Sequence, residues 1–346
     1  MAYAILNYSL FIPIILLQTI YKMSIAFLNK RNYMRSKIKI ALAIFCLLAL
    51  KQSISAQEKS KELVIVDGKK MAYETFNLEN RKEGSPILVF ESGLGGGIFT
   101  PIISLLPNHI SGIQYERNGI GQSELDMEIT SDSLLAKRLH NLLTTLNIEP
   151  PYLLIGHSIG GPYIRMFASK FPDEVCGLVF SDPTDFMLTA EEDEEARIKS
   201  ESDTGYRETF LLIQKMMSEN DGFSQSARND ATRALKANSL GYFHEYQNLP
   251  ELNNNIATTV IISYNKNIEQ PDKELNESLN LGINFKPFWR EYDNLRIQHY
   301  SDLIKDNDSS MLILLPKYSH GIYYQNPELV TKLIIENYDS YKVNKE

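Results

Sequence analysis

The stretch that decides the fold is Pro151-Tyr152-Leu153-Leu154-Ile155-Gly156-His157-Ser158-Ile159-Gly160-Gly161. Tyr152 to Ile155 form an apolar, β-prone run of the length of a buried strand. Residues 156–160 fit G-x-S-x-G, and from Pro162 to Phe171 apolar residues recur at helical spacing. The predicted order is strand, tight turn, helix, the context that gives this pattern chemical meaning. Glycines at 156 and 160 let strand and helix approach closely. The helix start aims free N–H groups at charge developing nearby. Ser158 is therefore the candidate nucleophile. The competing reading is a solvated serine in a Gly-rich turn.

Outward from this unit, strands and helices alternate. Leu63–Val66 and Met71–Phe76 flank Asp67-Gly68, a hairpin signal. Ile87–Phe90 runs into Glu91-Ser92-Gly93-Leu94-Gly95-Gly96-Gly97. A helix is predicted over Phe99–Leu106, then a strand over Ile110–Glu116, which ends in Arg117-Asn118-Gly119-Ile120-Gly121. Ser131–Leu146 is an amphipathic helix, and Val175–Phe180 a strand closed by Ser181-Asp182-Pro183. Residues 184–255 break the rhythm with polar amphipathic segments and no convincing strand, and read as a helical insertion. The acid run Glu191–Glu195 within it suits a solvated helix start. Strand Thr258–Ser263, helix Phe288–Leu303, strand Met311–Leu315 and helix Pro327–Tyr338 follow. The expected fold is α/β, a mostly parallel eight-stranded sheet with helices on both faces.

Three stretches carry a family resemblance over roughly residues 62–340. Gly-His-Ser-Ile-Gly-Gly at 156–161 resembles the nucleophile elbow of the α/β-hydrolase fold family. Glu-Ser-Gly-Leu-Gly-Gly-Gly at 91–97 resembles its oxyanion loop. Tyr-Glu-Arg-Asn-Gly-Ile-Gly-Gln-Ser at 115–123 is similar to the Asp-Arg-x-Gly-x-Gly-x-Ser loop of its esterase and peptidase branches. The resemblance implies a core over 57–183 and 256–346 with a helical cap at 184–255. Many members carry His-Gly in the oxyanion loop where this chain has Ser92-Gly93; backbone N–H is the donor there. The glycines of that loop fail the dinucleotide fingerprint, because Ile98 takes the place of the last glycine.

A serine hydroxyl needs a base within hydrogen-bond reach and a third group to orient that base. The family order is Ser, then Asp or Glu, then His. Of the six histidines, His109, His140 and His157 precede Ser158, while His244 and His299 fall in the insertion and a predicted helix. His320, in the loop before the closing helix, stands where the resemblance places the base. Most relatives carry the acid after strand seven, where this chain reads Ser263-Tyr264-Asn265-Lys266-Asn267 with no carboxylate until Glu269 and Asp272. Others carry it after strand six, where Asp182 stands. Asp182 is the favoured candidate, with Asp272 and Glu269 as rivals in a polar stretch around Pro271 expected to be a loop. The N–H groups of Leu94 and Ile159 are the expected oxyanion donors.

Length, 346 residues, suits one large α/β domain with insertions, and 43% apolar content allows a sizeable core. A net charge of −8 argues against nucleic acid as main partner. Arg35–Lys39, Ile40–Leu50 and Ser53–Ala56 read as the basic, apolar and cleavage segments of a secretory signal peptide, with Met34 as the expected start. Residues 1–56 are thus expected to lie outside the fold, and the mature protein to be periplasmic or secreted. The alternative is a membrane anchor that retains the apolar Ala2–Ile20. Of the two cysteines, Cys46 leaves with the signal peptide and Cys176 is expected to be buried. No zinc-binding pattern is present in the sequence, and neither metal nor cofactor is expected. The expected function is hydrolysis of a small ester or amide through an acyl-enzyme. The alternatives are an aminopeptidase of the proline-iminopeptidase type and a low-turnover binding protein. Dehalogenase chemistry is disfavoured, since it needs a carboxylate where Ser158 stands.

Overall fold

The computed structural model describes residues 61–343. The expectations for the signal peptide, Met34, Cys46 and Ala2–Ile20 lie outside the described residues. Among these residues, the strands are β1 (Glu62–Val66), β2 (Lys69–Phe76), β3 (Ile87–Glu91), β4 (Ser111–Tyr115), β5 (Tyr152–His157), β6 (Val175–Ser181), β7 (Ala257–Tyr264) and β8 (Met311–Pro316). They form one sheet in the order β1-β2-β4-β3-β5-β6-β7-β8. The β1–β2 and β2–β4 pairs are antiparallel, and the six strands from β4 to β8 in that order run parallel. The hairpin between β1 and β2 turns on Asp67 and Gly68, both with positive φ, as a two-residue hairpin loop requires.

Helices cover both faces, which is why the central strands β3, β5 and β6 are buried at every position rather than at alternate ones. Period-two alternation sorts their side chains. Leu153, Ile155 and Val179 join a cluster with Phe99, Ile102, Val330 and Ile334. That face carries α1 (Thr100–Ile103) and, in the chain's last stretch, α10 (Pro327–Val343). Leu154, Leu178 and Phe180 join Leu139, Leu142, Phe167 and Tyr300 on the other face, under α2 (Asp132–Thr145), α3 (Gly160–Lys170) and α8 (Phe285–Ile304). Cys176 is buried in the first cluster.

Between β6 and β7 stand α4 (Ala190–Lys199), α5 (Tyr206–Glu219) and α6 (Gln225–Ala237). The Glu191–Glu195 run lies in α4, whose start is a capping box between Thr189 and Glu192. Tyr206, Phe210, Tyr242 and Phe243 pack ring against ring inside this segment.

The stretch after β7 corrects the sequence reading. Instead of a loop around Pro271, α7 spans Gln270–Ser278. Glu269 and Asp272 cap its start reciprocally, and Pro271 sits in the first turn, where a missing N–H costs nothing. The remaining helix, α9 (Ile322–Gln325), is a single turn; α1 is likewise shorter than the predicted Phe99–Leu106 helix.

Candidate active site

Because the central strands are parallel, the segments following β3 to β8 all emerge at one edge of the sheet. Ser158 follows β5, Asp182 follows β6, and His320 follows β8. Ser158 sits at the apex of the β5–α3 turn with φ of 56°, a conformation that L side chains rarely adopt. The turn is held at both ends: Ser158 N–H donates to Ser181 O at 3.2 Å, and Ser158 O accepts from Gly161 and Thr184 N–H at 3.0 Å each. The glycines are a steric requirement. A Cβ on Gly156 would stand 2.5 Å from Gly160 O, and one on Gly160 would stand 2.5 Å from Glu91 O. Ser158 is partly exposed while its neighbours His157 and Ile159 are buried.

The structure joins His320 to Asp182, with Nδ1 2.6 Å from Oδ2. It does not join His320 to Glu269 or Asp272, which are spent on capping α7. Asp182 is fully buried and His320 half exposed. Ser263 N–H donates to Asp182 Oδ1 at 2.9 Å, with Arg296 Nη1 at 3.2 Å, and Lys266 Nζ donates to Oδ2 at 2.8 Å. Burial alone would raise the Asp182 carboxyl, but the charges of Arg296 and Lys266 and the bond to His320 hold it well below the usual carboxylate range.

His157, next to Ser158, braces His320. Its Nε2 lies 2.9 Å from the backbone oxygen of His320, so that nitrogen carries the proton. Its ring lies 4.7 Å from the His320 ring and 4.9 Å from Tyr323 of α9. Burial, with the His320 imidazole beside it, lowers His157 to about 4. It is therefore a neutral wedge at ordinary pH.

The loop after β3 passes directly beside Ser158: a Cβ on Gly93 would be 3.3 Å from Ser158 Cβ. Leu94 and Ile159 N–H, the expected oxyanion donors, have no hydrogen-bond acceptor among the described residues. The shape of this loop is set from below by Arg117, in the segment after β4 and fully buried. Its guanidinium donates to Ser92 O and Gly93 O at 2.6 Å each and pairs with Glu91. Asp230 of α6 receives Arg117 Nη2 at 2.7 Å and Gly95 N–H at 2.8 Å. The segment between β6 and β7 thus reaches down to grip the loop. Nothing local in the sequence marks Asp230, because its partners lie 113 and 135 residues away. Asp230→Asn leaves Arg117 buried without its second counter-charge. The expected cost is about 3 kcal/mol in urea unfolding, and reaction at Ser158 slows by about a hundredfold as the loop shifts. Unchanged stability and rate would remove Asp230 from this role.

His299 on α8 stands between two carboxylates, Asp185 at 2.8 Å and Glu192 of α4 at 3.2 Å. These carboxylates outweigh burial and raise it to about 9. It is a charged strut between α8 and α4.

A buried-strand, positive-φ serine turn on a sheet of this order defines the class. The sequence matches the family described as "alpha/beta hydrolase fold" over residues 86–292, more than half of the chain. The chain belongs to the α/β-hydrolase fold family. Among curated proteins it resembles the uncharacterized protein YqjL of Bacillus subtilis, 31% identical over 111 residues, or 31% of this chain and 44% of that protein. The chain spans less than half the length of the curated relatives it matches. Among solved structures it is similar to one titled a "putative lipase" from Acinetobacter baumannii, with TM-score 0.60, 15% identity, and 85% and 97% of the two chains covered. A thermophilic esterase from Thermogutta terrifontis gives TM-score 0.52, 16% identity, and 82% and 99% coverage. At such identities the likeness is one of fold.

Proposed function

We propose that this protein is a serine hydrolase that cleaves a small carboxylic ester by acyl transfer. The single observation that carries the reading is the strained, anchored Ser158 on the same sheet edge as a His320 bonded to buried Asp182. In this reading His320 takes the Ser158 proton as Oγ attacks the carbonyl carbon. The N–H groups of Leu94 and Ile159 stabilise the oxyanion, and His320 then protonates the leaving oxygen. Water, deprotonated by His320, attacks the acyl-enzyme and releases the acid, restoring Ser158. Asp182 stays ionised throughout and fixes the imidazole with its proton on Nδ1, leaving Nε2 as base.

The pairing of the acidic run in α4 supports esters over N-terminal amines as substrates. An aminopeptidase needs carboxylates free to hold an ammonium group. Here Glu192 is bound to His299, Glu194 to Arg197, Glu195 to Lys199, and Asp193 to Tyr206 and Tyr292. Only Glu191 in the run lacks such a partner among the described residues, and it is exposed. That supports an uncharged ester over an aminoacyl substrate. A panel of p-nitrophenyl esters and aminoacyl anilides tests it: esters are expected to turn over and anilides not. Preference for the anilides would overturn the ester reading, and no turnover of either, with slow single acylation, would favour a binding protein.

A further inference from the structure

We propose that Lys266 is a positioning residue that acts through Asp182, its ammonium offsetting the charge of the buried acid that His320 contacts, so that Ser158 keeps reacting in acidic medium. The proposal rests on the acyl-transfer reading above and deepens it. Lys266 lies two residues beyond β7, in the loop where the sequence offers no carboxylate. Its stem carries Nζ to 6.0 Å from the Trp289 ring and on to Asp182 Oδ2, the same oxygen that His320 Nδ1 contacts.

The contacts separate what Lys266 adds from what is already fixed. Asp182 is oriented through Oδ1, by Ser263 N–H and Arg296, and its backbone N–H is tied to Ile261 O at 2.7 Å. Lys266 is not needed for that orientation; its distinct contribution is charge. Arg296 is shared with Asp293, Nη2 to Oδ1 at 3.0 Å. Two carboxylates, Asp182 and Asp293, therefore face two cations, Arg296 and Lys266, and the cluster has no net charge before the imidazole is counted. The other titratable neighbours do not change that balance. His157 is neutral, Tyr206 and Tyr323 are phenols whose burial raises them, and Asp185 is paired with His299.

An orienting carboxylate stabilises the imidazolium formed in each chemical step. With Lys266 in place much of that attraction is offset, so the reaction at Ser158 is expected to persist to lower pH than it would beside an unopposed acid. Lys266 is 21% exposed at its side chain, so solvent screening moderates the effect without removing it.

The test follows the rate of Ser158 phosphonylation by an alkyl fluorophosphonate against pH, in the full chain. This rate needs the serine and its base but no knowledge of the substrate. Lys266→Gln keeps a hydrogen-bond donor and removes the charge. The pH at which labelling falls to half is expected to rise by about one unit, while Lys266→Arg should track the wild type. A merely structural defect would lower the plateau rate and leave that midpoint in place. Should Lys266→Gln not stay folded through the acid range, Lys266→Met, which keeps the stem against Trp289, makes the same comparison. Coincident midpoints for the neutral variant and the wild type would overturn the role of Lys266, as would Lys266→Arg moving as far as Lys266→Gln. If the wild type is labelled nowhere, or at a residue other than Ser158, the acyl-transfer reading falls, and this proposal with it.

Discussion

Ser158→Ala is expected to lower ester turnover about a millionfold where the wild type is fast, with little change in stability. The size follows from the work the hydroxyl does. In the proposed mechanism no acyl-enzyme forms without Oγ, so His320, Asp182 and the Leu94 and Ile159 N–H groups could act only on water attack. Folding should survive, because the strain at φ of 56° is borne by the backbone, and the bonds that hold it run from Ser158 N–H and O, not from the side chain. Turnover by the purified variant, with its unfolding curve as control, reads both. A variant that retains more than about a hundredth of wild-type activity would mean that another group is the nucleophile.

Asp182→Asn is the second large effect, expected at about ten-thousandfold in turnover. An asparagine can present its amide N–H to Nδ1 and thus favour the imidazole with its proton on Nε2, the nitrogen that accepts from Ser158 in the proposed mechanism. It also leaves Lys266 and Arg296 facing a neutral amide in a fully buried place, so stability falls as well, by about 3 kcal/mol. The rate is therefore taken per folded molecule. Glu269→Gln and Asp272→Asn touch only a helix cap and keep an acceptor oxygen there, so each should cost less than about 1 kcal/mol and leave turnover near the wild type. Near-wild-type activity in Asp182→Asn, with collapse in either of the others, would move the acid to the segment after β7.

What the sequence made legible, and what it hid, divides by the range of the interactions. The β5–Ser158–α3 unit is local: an apolar run, two glycines and a helical period stand within about 20 residues, and each glycine has a backbone neighbour that forbids a side chain. The parallel sheet followed from the same rhythm repeated. The rivalry among Asp182, Glu269 and Asp272 could not be resolved in the same way, because reaching His320 depends on where strand ends lie in three dimensions. The α7 start was hidden for another reason. Pro271 and a cluster of polar residues suit a loop and a capped helix start equally well, and the reciprocal bonds of Glu269 and Asp272 decide between them. Long-range ion pairs left no trace. Lys266 stood out only as a missing carboxylate, and Arg117 only as part of a glycine-rich loop. Asp230 and the bracing role of His157 depend on contacts across 113 and 163 residues, for which no periodicity exists.

The most direct measurement of the central claim is peptide mapping of the folded, full-length protein after reaction with a fluorophosphonate. Such a reagent reacts only with a serine that a neighbouring base activates and an oxyanion hole receives. The predicted result is one adduct, on the peptide that carries Gly156-His157-Ser158-Ile159-Gly160, located on Ser158 and lost when the protein is unfolded first. An adduct on a different residue, or none on the folded protein, would contradict the account.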